Sequence, residues 1–298
     1  MAGQSQGAQS QLAIDVSAID TNSDPLHMID ETLTAAYDRI DDGARSIRGS
    51  RSHIEERVSE GLVDVSGSIW LHAAPDELNA LLPWALGTAE AGDVFDVAET
   101  VPSRNIAIDH IAKVHTYNTC YVNRMIVSGQ KGKPVQFEFQ IMGTSLTEGN
   151  SGTFPALTFS TDRFYAFHEG VLTMEGGTEL FDRFVLVLDN KVEREYNNSK
   201  TATDLVAADR EVWFACSTPY TSDETALFTT PEGSVAGAAM NITFTNGGQS
   251  IVFALGNMKI FPRTPNVRGK KQIRLPIKAK GYKTGSTPDL KITSDSTA

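Results

Sequence analysis

Gly3-Gln4-Ser5-Gln6-Gly7 has the G-x-S-x-G spacing of a hydrolase nucleophile elbow. That chemistry needs a strand before the serine and a helix after it, so that a sharp turn lifts the hydroxyl toward substrate. Here both flanks are polar and carry neither pattern, so the match is coincidental. His110, His115 and Cys120 have side chains that suit a zinc ion. Their five-residue spacing fits no zinc pattern, and on strands it sends successive side chains to opposite faces. They read as ordinary strand histidines and a buried thiol. Asp109 next to His110 faces away from it by the same geometry, so the two form no acid–base dyad. The chain contains no phosphate-cradling glycine loop, Walker lysine or paired-carboxylate motif. Asn197-Asn198-Ser199 and Asn241-Ile242-Thr243 are glycosylation sequons that matter only in a secreted chain. The aromatics of FPALTFSTDRFYAFHEGVLTMEGG (154–177) suit a stacking platform for sugars or bases. They read better as core residues beside a hairpin turning at Glu169-Gly170. No catalytic, cofactor or metal site emerges.

With reactive chemistry set aside, composition narrows the class. At 298 residues, with 40% hydrophobic and 21% charged residues, the chain can bury two ordinary domain cores. The opening MAGQSQGAQSQ has no apolar h-region, and no run approaches the ~18 apolar residues of a membrane span. LNALLPWALG comes nearest, but it is short and interrupted by Pro83. Two isolated cysteines, Cys120 and Cys216, suggest a reducing compartment and buried thiols, with a disulfide between them as the alternative.

The net charge of −11 argues against a general nucleic-acid binder, which needs a basic face. All of that charge lies in residues 1–150, with 21 acids against 10 bases; residues 151–298 hold 16 of each. Within the second half, residues 257–291 carry ten Lys or Arg against Asp289 alone. Such asymmetry suits acidic and basic surfaces that meet between copies of one chain.

Residues 1–25 are polar and predict a mobile arm. In VDVSGSIWL, Val63, Val65, Ile69 and Leu71 share one face, which is the period of a half-buried strand. Pro75 suits the first position of a helix, Asp76 and Glu77 complement its dipole, and Leu78, Leu81, Leu82 and Leu86 form its apolar stripe. Strands are expected at 106–115, 120–128 and 135–141, with a turn over 129–134. Strands are also expected at 178–188 and 211–216, and Ser222, Asp223 and Glu224 start a short helix after Pro219. Asn246-Gly247 marks a hairpin, and QIRLPIKA alternates apolar and polar residues around Pro276. That proline needs an edge position or an outward amide.

The two halves use these signals in the same order: charged loop, strand, proline break, acidic-started helix, hairpin, and a closing strand pair around a Gly/Lys turn. The charged loops are 43–61 and 190–209. This order predicts a mainly β chain made of a duplicated β domain; two unrelated β domains are the alternative. The expected divisions are an arm (1–25), a first β domain (26–150), a second (151–285) and a C-terminal tail (286–298).

Four segments, taken in order, resemble the tail tube proteins of tailed bacteriophages. They are SRSHIEERVSEGLVDVSGSIWLHAAPDELNALLPWALG, FPALTFSTDRFYAFHEGVLT, SKTATDLVAADREVWFACSTPYTSDE and NMKIFPRTPNVRGKKQIRLPIKAKGYKTGSTPDLKI. The resemblance spans about residues 45–292. It implies tandem β-sandwich units, each with a short flanking helix and long hairpins that join an intersubunit β-barrel around a DNA-wide channel. It also implies a non-enzymatic virion protein without cofactors, assembled in the host cytoplasm. Its partners would be further copies of itself and the tape measure, tail terminator and tip proteins. DNA would pass without specific binding and no membrane would be involved.

Single-unit tube proteins are about half this length and form hexamers, so three duplicated chains would make a pseudo-sixfold ring. A true hexamer with the second half as outer decoration is the alternative for the ring, and a β-sandwich binding module or virion decoration protein is the alternative for the function. Gln136, Glu138 and Gln140 are expected to face the lumen, which is expected to be negative overall so that phosphates do not stick. Arg274 and Lys278 would weaken that account if they faced the channel. Arg45, Arg48, Arg51 and Arg57, with Glu193, Glu195 and Asp209, are candidates for contacts between rings or subunits.

Overall fold

Alternation of apolar and polar side chains sets most of the architecture, because a pleated strand points successive residues to opposite faces. In the computed structural model the described residues are 7–41, 55–88, 91–150, 152–174, 177–220, 238–261, 265–267, 269–270 and 272–296. Strands β1 (Gln11–Asp15), β2 (Asp24–Leu26), β3 (Met28–Glu31) and β4 (Thr34–Asp41) precede the long β5 (Val58–Leu71). Helix α1 (Pro75–Leu86) follows, then β6 (Val94–Asp96), β7 (Arg104–Asp109), β8 (Lys113–Gln130), β9 (Gln136–Gly143) and β10 (Ser145–Asn150). The second half continues with β11 (Gly170–Met174), β12 (Gly177–Glu179), β13 (Arg183–Asp189), β14 (Val192–Glu195) and β15 (Asp204–Ala207). It ends with β16 (Glu211–Pro219), β17 (Ala238–Asn246), β18 (Gln249–Ile260), β19 (Arg274–Gly281) and β20 (Lys291–Asp295).

Eighteen strands join one hydrogen-bonded network, and β14 and β15 pair separately. Two runs within the network follow the same order. In the first, β2 pairs with β1, β1 with β7, β7 with β8, β8 with β9 and β9 with β5. In the second, β12 pairs with β11, β11 with β17, β17 with β18, β18 with β19 and β19 with β16. Every one of these ladders is antiparallel. Beyond β5 lie β3 and β4, and beyond β16 lies β13. β10 adds to β8 as β20 adds to β18. The runs meet where β13 lies antiparallel to residues Arg124–Gln130 of β8, and again where β20 pairs with β6. Among the described residues the ladders do not close into a barrel.

Burial of alternate side chains merges these sheets around one core, in which the Phe137 and Phe253 rings from the two runs lie 6.3 Å apart. Helix α1 docks on it as its stripe predicts: Leu78, Leu81, Leu82 and Leu86 are all buried. Glu77 accepts the Ala74 amide at 2.8 Å through Oε2 and the His27 amide at 2.6 Å through Oε1, which ties the helix start to the β2–β3 junction. The helix runs through Pro83 and stops at Gly87, whose φ of 91° is left-handed. A Cβ there would lie 2.1 Å from the Thr100 carbonyl oxygen, so both conformation and space require glycine.

Several local expectations change. Part of the 1–25 arm is in the sheet, because Leu12, Ala13 and Ile14 are apolar enough to pair along β7 and become fully buried. The 286–298 tail likewise supplies β20, with Ile292 buried. Residues 106–115 do not form one strand. The chain turns between β7 and β8 with Ile111 at φ 68°, and β8 then runs unbroken for 18 residues. The stretch 178–188 divides into β12 and β13. Glu169-Gly170 is not a hairpin turn: Phe167–Glu169 form a short 3-10 turn that enters β11. In the Asn246 hairpin the two residues between the paired ends are Gly247 and Gly248. The helix expected from Ser222 lies outside the described residues.

Candidate functional site: a continuous wall of strands

Eight strands can be followed without a break through the chain, in the order β3, β5, β9, β8, β13, β16, β19, β18. On the core side one cross-strand row runs Leu71, Phe137, Val127, Leu186, Phe214, Ala279, and all six are buried. The adjacent row on the opposite face runs Trp70, Glu138, Ile126, Val187, Trp213, Lys280. Asp30 extends that row at the β3 end, and Lys259 extends it at the β18 end.

The non-core face carries both signs of charge, largely paired. Arg124 Nε donates to Asp189 Oδ2 at 3.1 Å across the β8–β13 junction. Glu211 accepts from Trp213 Nε1 at 3.1 Å and Lys280 Nζ at 3.0 Å, with Lys191 Nζ at 3.3 Å. These donors, the indole first, hold the Glu211 carboxyl down at about 2. Lys278 lies 4.2 Å above the Trp213 ring, and Arg274 pairs with Asp182 at 2.9 Å. Arg274 sits opposite Pro219, Pro276 opposite Ser217 and Lys278 opposite Ala215. Among the described residues β18 joins β19 only from Ala279 onward, so Pro276 has a single neighbouring ladder there.

Gln136, Glu138 and Gln140 sit where alternation placed them, on the non-core face of β9, and Gln140 Nε2 donates to Glu138 Oε1 at 2.9 Å. Lys278 and Lys280 share that face with them, so the surface is mixed in sign rather than uniformly negative. Arg45, Arg48 and Arg51 lie outside the described residues. Arg57 is exposed just before β5. Glu193 and Glu195 are exposed on β14, and Asp209 is held by Lys191 of the same chain at 3.2 Å. The loop containing them folds back on β5. Tyr196 Oη donates to the Val63 carbonyl at 3.0 Å, the Val63 amide donates to the Lys200 carbonyl at 2.8 Å, and Arg194 pairs with Asp64 at 2.8 Å.

His110 and His115 touch, with ring centroids 4.8 Å apart, because the chain reverses between them instead of continuing as one strand. Burial is the main influence lowering the His115 pKa. Among the described residues no three His, Cys, Asp or Glu side chains cluster to hold a metal. Cys120 and Cys216 are free and buried, and burial pushes the Cys216 thiol up to about 12. No helix of the described residues is long and apolar enough to cross a membrane.

Sequence reasoning missed Asp30 and Lys259 as the two ends of the wall. A usable signal was present: Trp70 between Ile69 and Leu71 matches Trp213 between Val212 and Phe214, with both flanking pairs buried. No curated protein matches the chain. A family model described as phage tail tube protein matches residues 7–281.

Proposed function

This chain belongs to the phage tail tube protein family, and on that premise we propose that three copies close into a ring whose stacking builds a DNA conduit. As a family member it is a structural component of the virion tail.

The observation that carries the proposal is the repeated strand order within one unbroken eight-strand path. A duplicated β domain accounts for it, with β3, β5, β9 and β8 contributed by the first unit and β13, β16, β19 and β18 by the second. The junction of β13 with β8 then serves as one of six equivalent contacts around the ring. Barrel diameter grows with strand number, and barrels of about 16–18 strands leave only an aqueous channel, so passage of duplex DNA calls for about 24 strands. Three chains of eight strands supply that number. Closure also removes the open sheet edges through which such a protein would otherwise aggregate.

Assembly takes place in the host cytoplasm, and the tube ends on terminator and tip proteins and encloses a tape measure protein. Electron microscopy of the purified protein at high concentration tests the proposal. Striated tubes are expected, with averaged top views of single rings that show three chains and near-sixfold density. Strict sixfold rings with a peripheral domain would overturn the three-chain arrangement. A protein that stays monomeric at every concentration would overturn the tube itself.

A further inference from the structure

If the wall closes on itself, its two free ends must recognise each other, and the β13–β8 junction inside the chain provides a template for how they do so. That junction sets Leu186 opposite Val127. Leu71 and Phe214 occupy matching places in the two strand runs, next to Trp70 and Trp213. Leu71 lies opposite Met28 on one side and Phe137 on the other, and Phe214 opposite Leu186 and Ala279. Met28 is therefore the counterpart of Leu186. Phe137 lies opposite Val127 and Ala279 opposite Ile260, which makes Ile260 the counterpart of Val127.

We propose that neighbouring chains are joined by β3 of one copy pairing antiparallel with the end of β18 of the next, with Met28 opposite Ile260 and, across the irregularity that already separates Met28 from Asp30 in the β3–β5 ladder, Asp30 opposite Lys259. This deepens the tube reading and rests on it: the occupant of the edge is a second copy of this chain.

Among the described residues β3 pairs only with β5, and Lys259 and Ile260 pair only with β19. A cleft of about 620 Å³ runs beside β3, lined in part by Met28, Ile29, Asp30 and Glu31. Ile29 and Phe261 are exposed apolar side chains, one on each surface.

Charge selects the pairing. Residues 24–41 carry Asp24, Asp30, Glu31, Asp38 and Asp41 against Arg39, whereas residues 257–288 carry nine Lys or Arg and no acid. Lys259 lies directly opposite Lys280, with its Nζ 5.7 Å from the Tyr282 ring centroid, and has no ion pair among the described residues. Asp30 of the next copy would supply the missing acid, as Asp189 does for Arg124 at the internal junction.

The test uses the full chain with Asp30→Lys and Lys259→Asp, singly and combined, and separately with Asp30→Cys plus Lys259→Cys. Each single charge reversal should lower the assembled fraction by about tenfold or more, and the combined swap should restore it. The cysteine pair should oxidise to a reducible ladder of multimers that ends at one ring. Neither single cysteine nor Asp30→Cys with Glu193→Cys should do so. Tubes that form normally from every charge variant, or rings of the cysteine pair that stay monomeric without reductant, would overturn this seam while leaving the tube intact. Failure of the unaltered chain to form any ring would overturn both.

Discussion

Asn190 provides a test of how the two strand runs are held together. Only 3% of it is exposed, and its Nδ2 donates to the Ala85 carbonyl at 3.1 Å and the Val122 carbonyl at 3.0 Å. Its own amide donates to the Asn123 carbonyl at 2.8 Å. One side chain thus joins the last turn of α1, the middle of β8 and the residue that follows β13. Ala85 lies in the last helical turn, where carbonyls lack intrahelical partners, so the amide is standing in for a cap. Asn190→Ala leaves two buried carbonyls without this donor, each at a cost of about 1–3 kcal/mol, which gives a loss of ~2–4 kcal/mol after relaxation. Urea unfolding of dilute, unassembled protein should show a lower midpoint at unchanged slope. Asn190→Asp should cost more at neutral pH, because a carboxylate would face two carbonyl oxygens. It should regain stability in acid, once a proton restores a donor. A loss below about 0.5 kcal/mol for the alanine variant would refute the role given to this residue.

Three other outcomes follow from the packing and electrostatics. A Cβ on Gly129 would lie 2.5 Å from Phe184 Cε1 and 2.9 Å from Phe167 Cδ2, inside a packed ring cluster, so Gly129→Ala should cost ~1–3 kcal/mol in the same urea assay. The Glu211 carboxyl is held at about 2, below its ordinary 4.5, so its ion contacts stabilise the fold above that ordinary value and are lost as pH falls toward 2. Thermal melts should therefore show wild type above Glu211→Gln at pH 7 and the gap narrowing between about pH 4.5 and 2. A maleimide probe at pH 8 should leave Cys120 and Cys216 unlabelled in the native chain and label both in denaturant, since burial raises both thiols.

Features set by short-range pattern were legible in the sequence. β9 appears as the alternation of Phe137, Phe139 and Ile141, and α1 as the proline, acids and leucine stripe that begin at Pro75. Features decided by distant partners were not. β1 forms because β7 offers an edge to a polar-flanked triplet, and β8 continues through Thr119, a non-glycine residue at φ 49°, because neighbours on both sides hold it. The outward residues of β9 could be named from alternation, but the lysines that share their face could not. Their strand is reached only through β8, β13 and β16. Repetition was visible as an order of signals, whereas the matching pairings that give it physical content are long-range ladders.

If this face lines the proposed conduit, its mixed charge bears on passage of DNA, since affinity for a polyanion depends on how many cations are free to replace its counterions. Here Arg124 is engaged by Asp189, Lys280 by Glu211, Arg274 by Asp182, and Lys278 lies on the Trp213 ring. Each of these cations already has a partner that phosphate would have to displace, so a surface with several lysines can still let duplex DNA slide. Asp189→Asn with Glu211→Gln releases Arg124 and Lys280 without adding any positive residue. Filter binding of duplex DNA to assembled tubes should then rise from weak to readily measurable at low salt. The dependence of log affinity on log salt should steepen by about one for each released cation that contacts a phosphate. Unchanged DNA retention by tubes of normal morphology would mean that this face does not line the channel, or that pairing within the wall is not what keeps DNA from sticking.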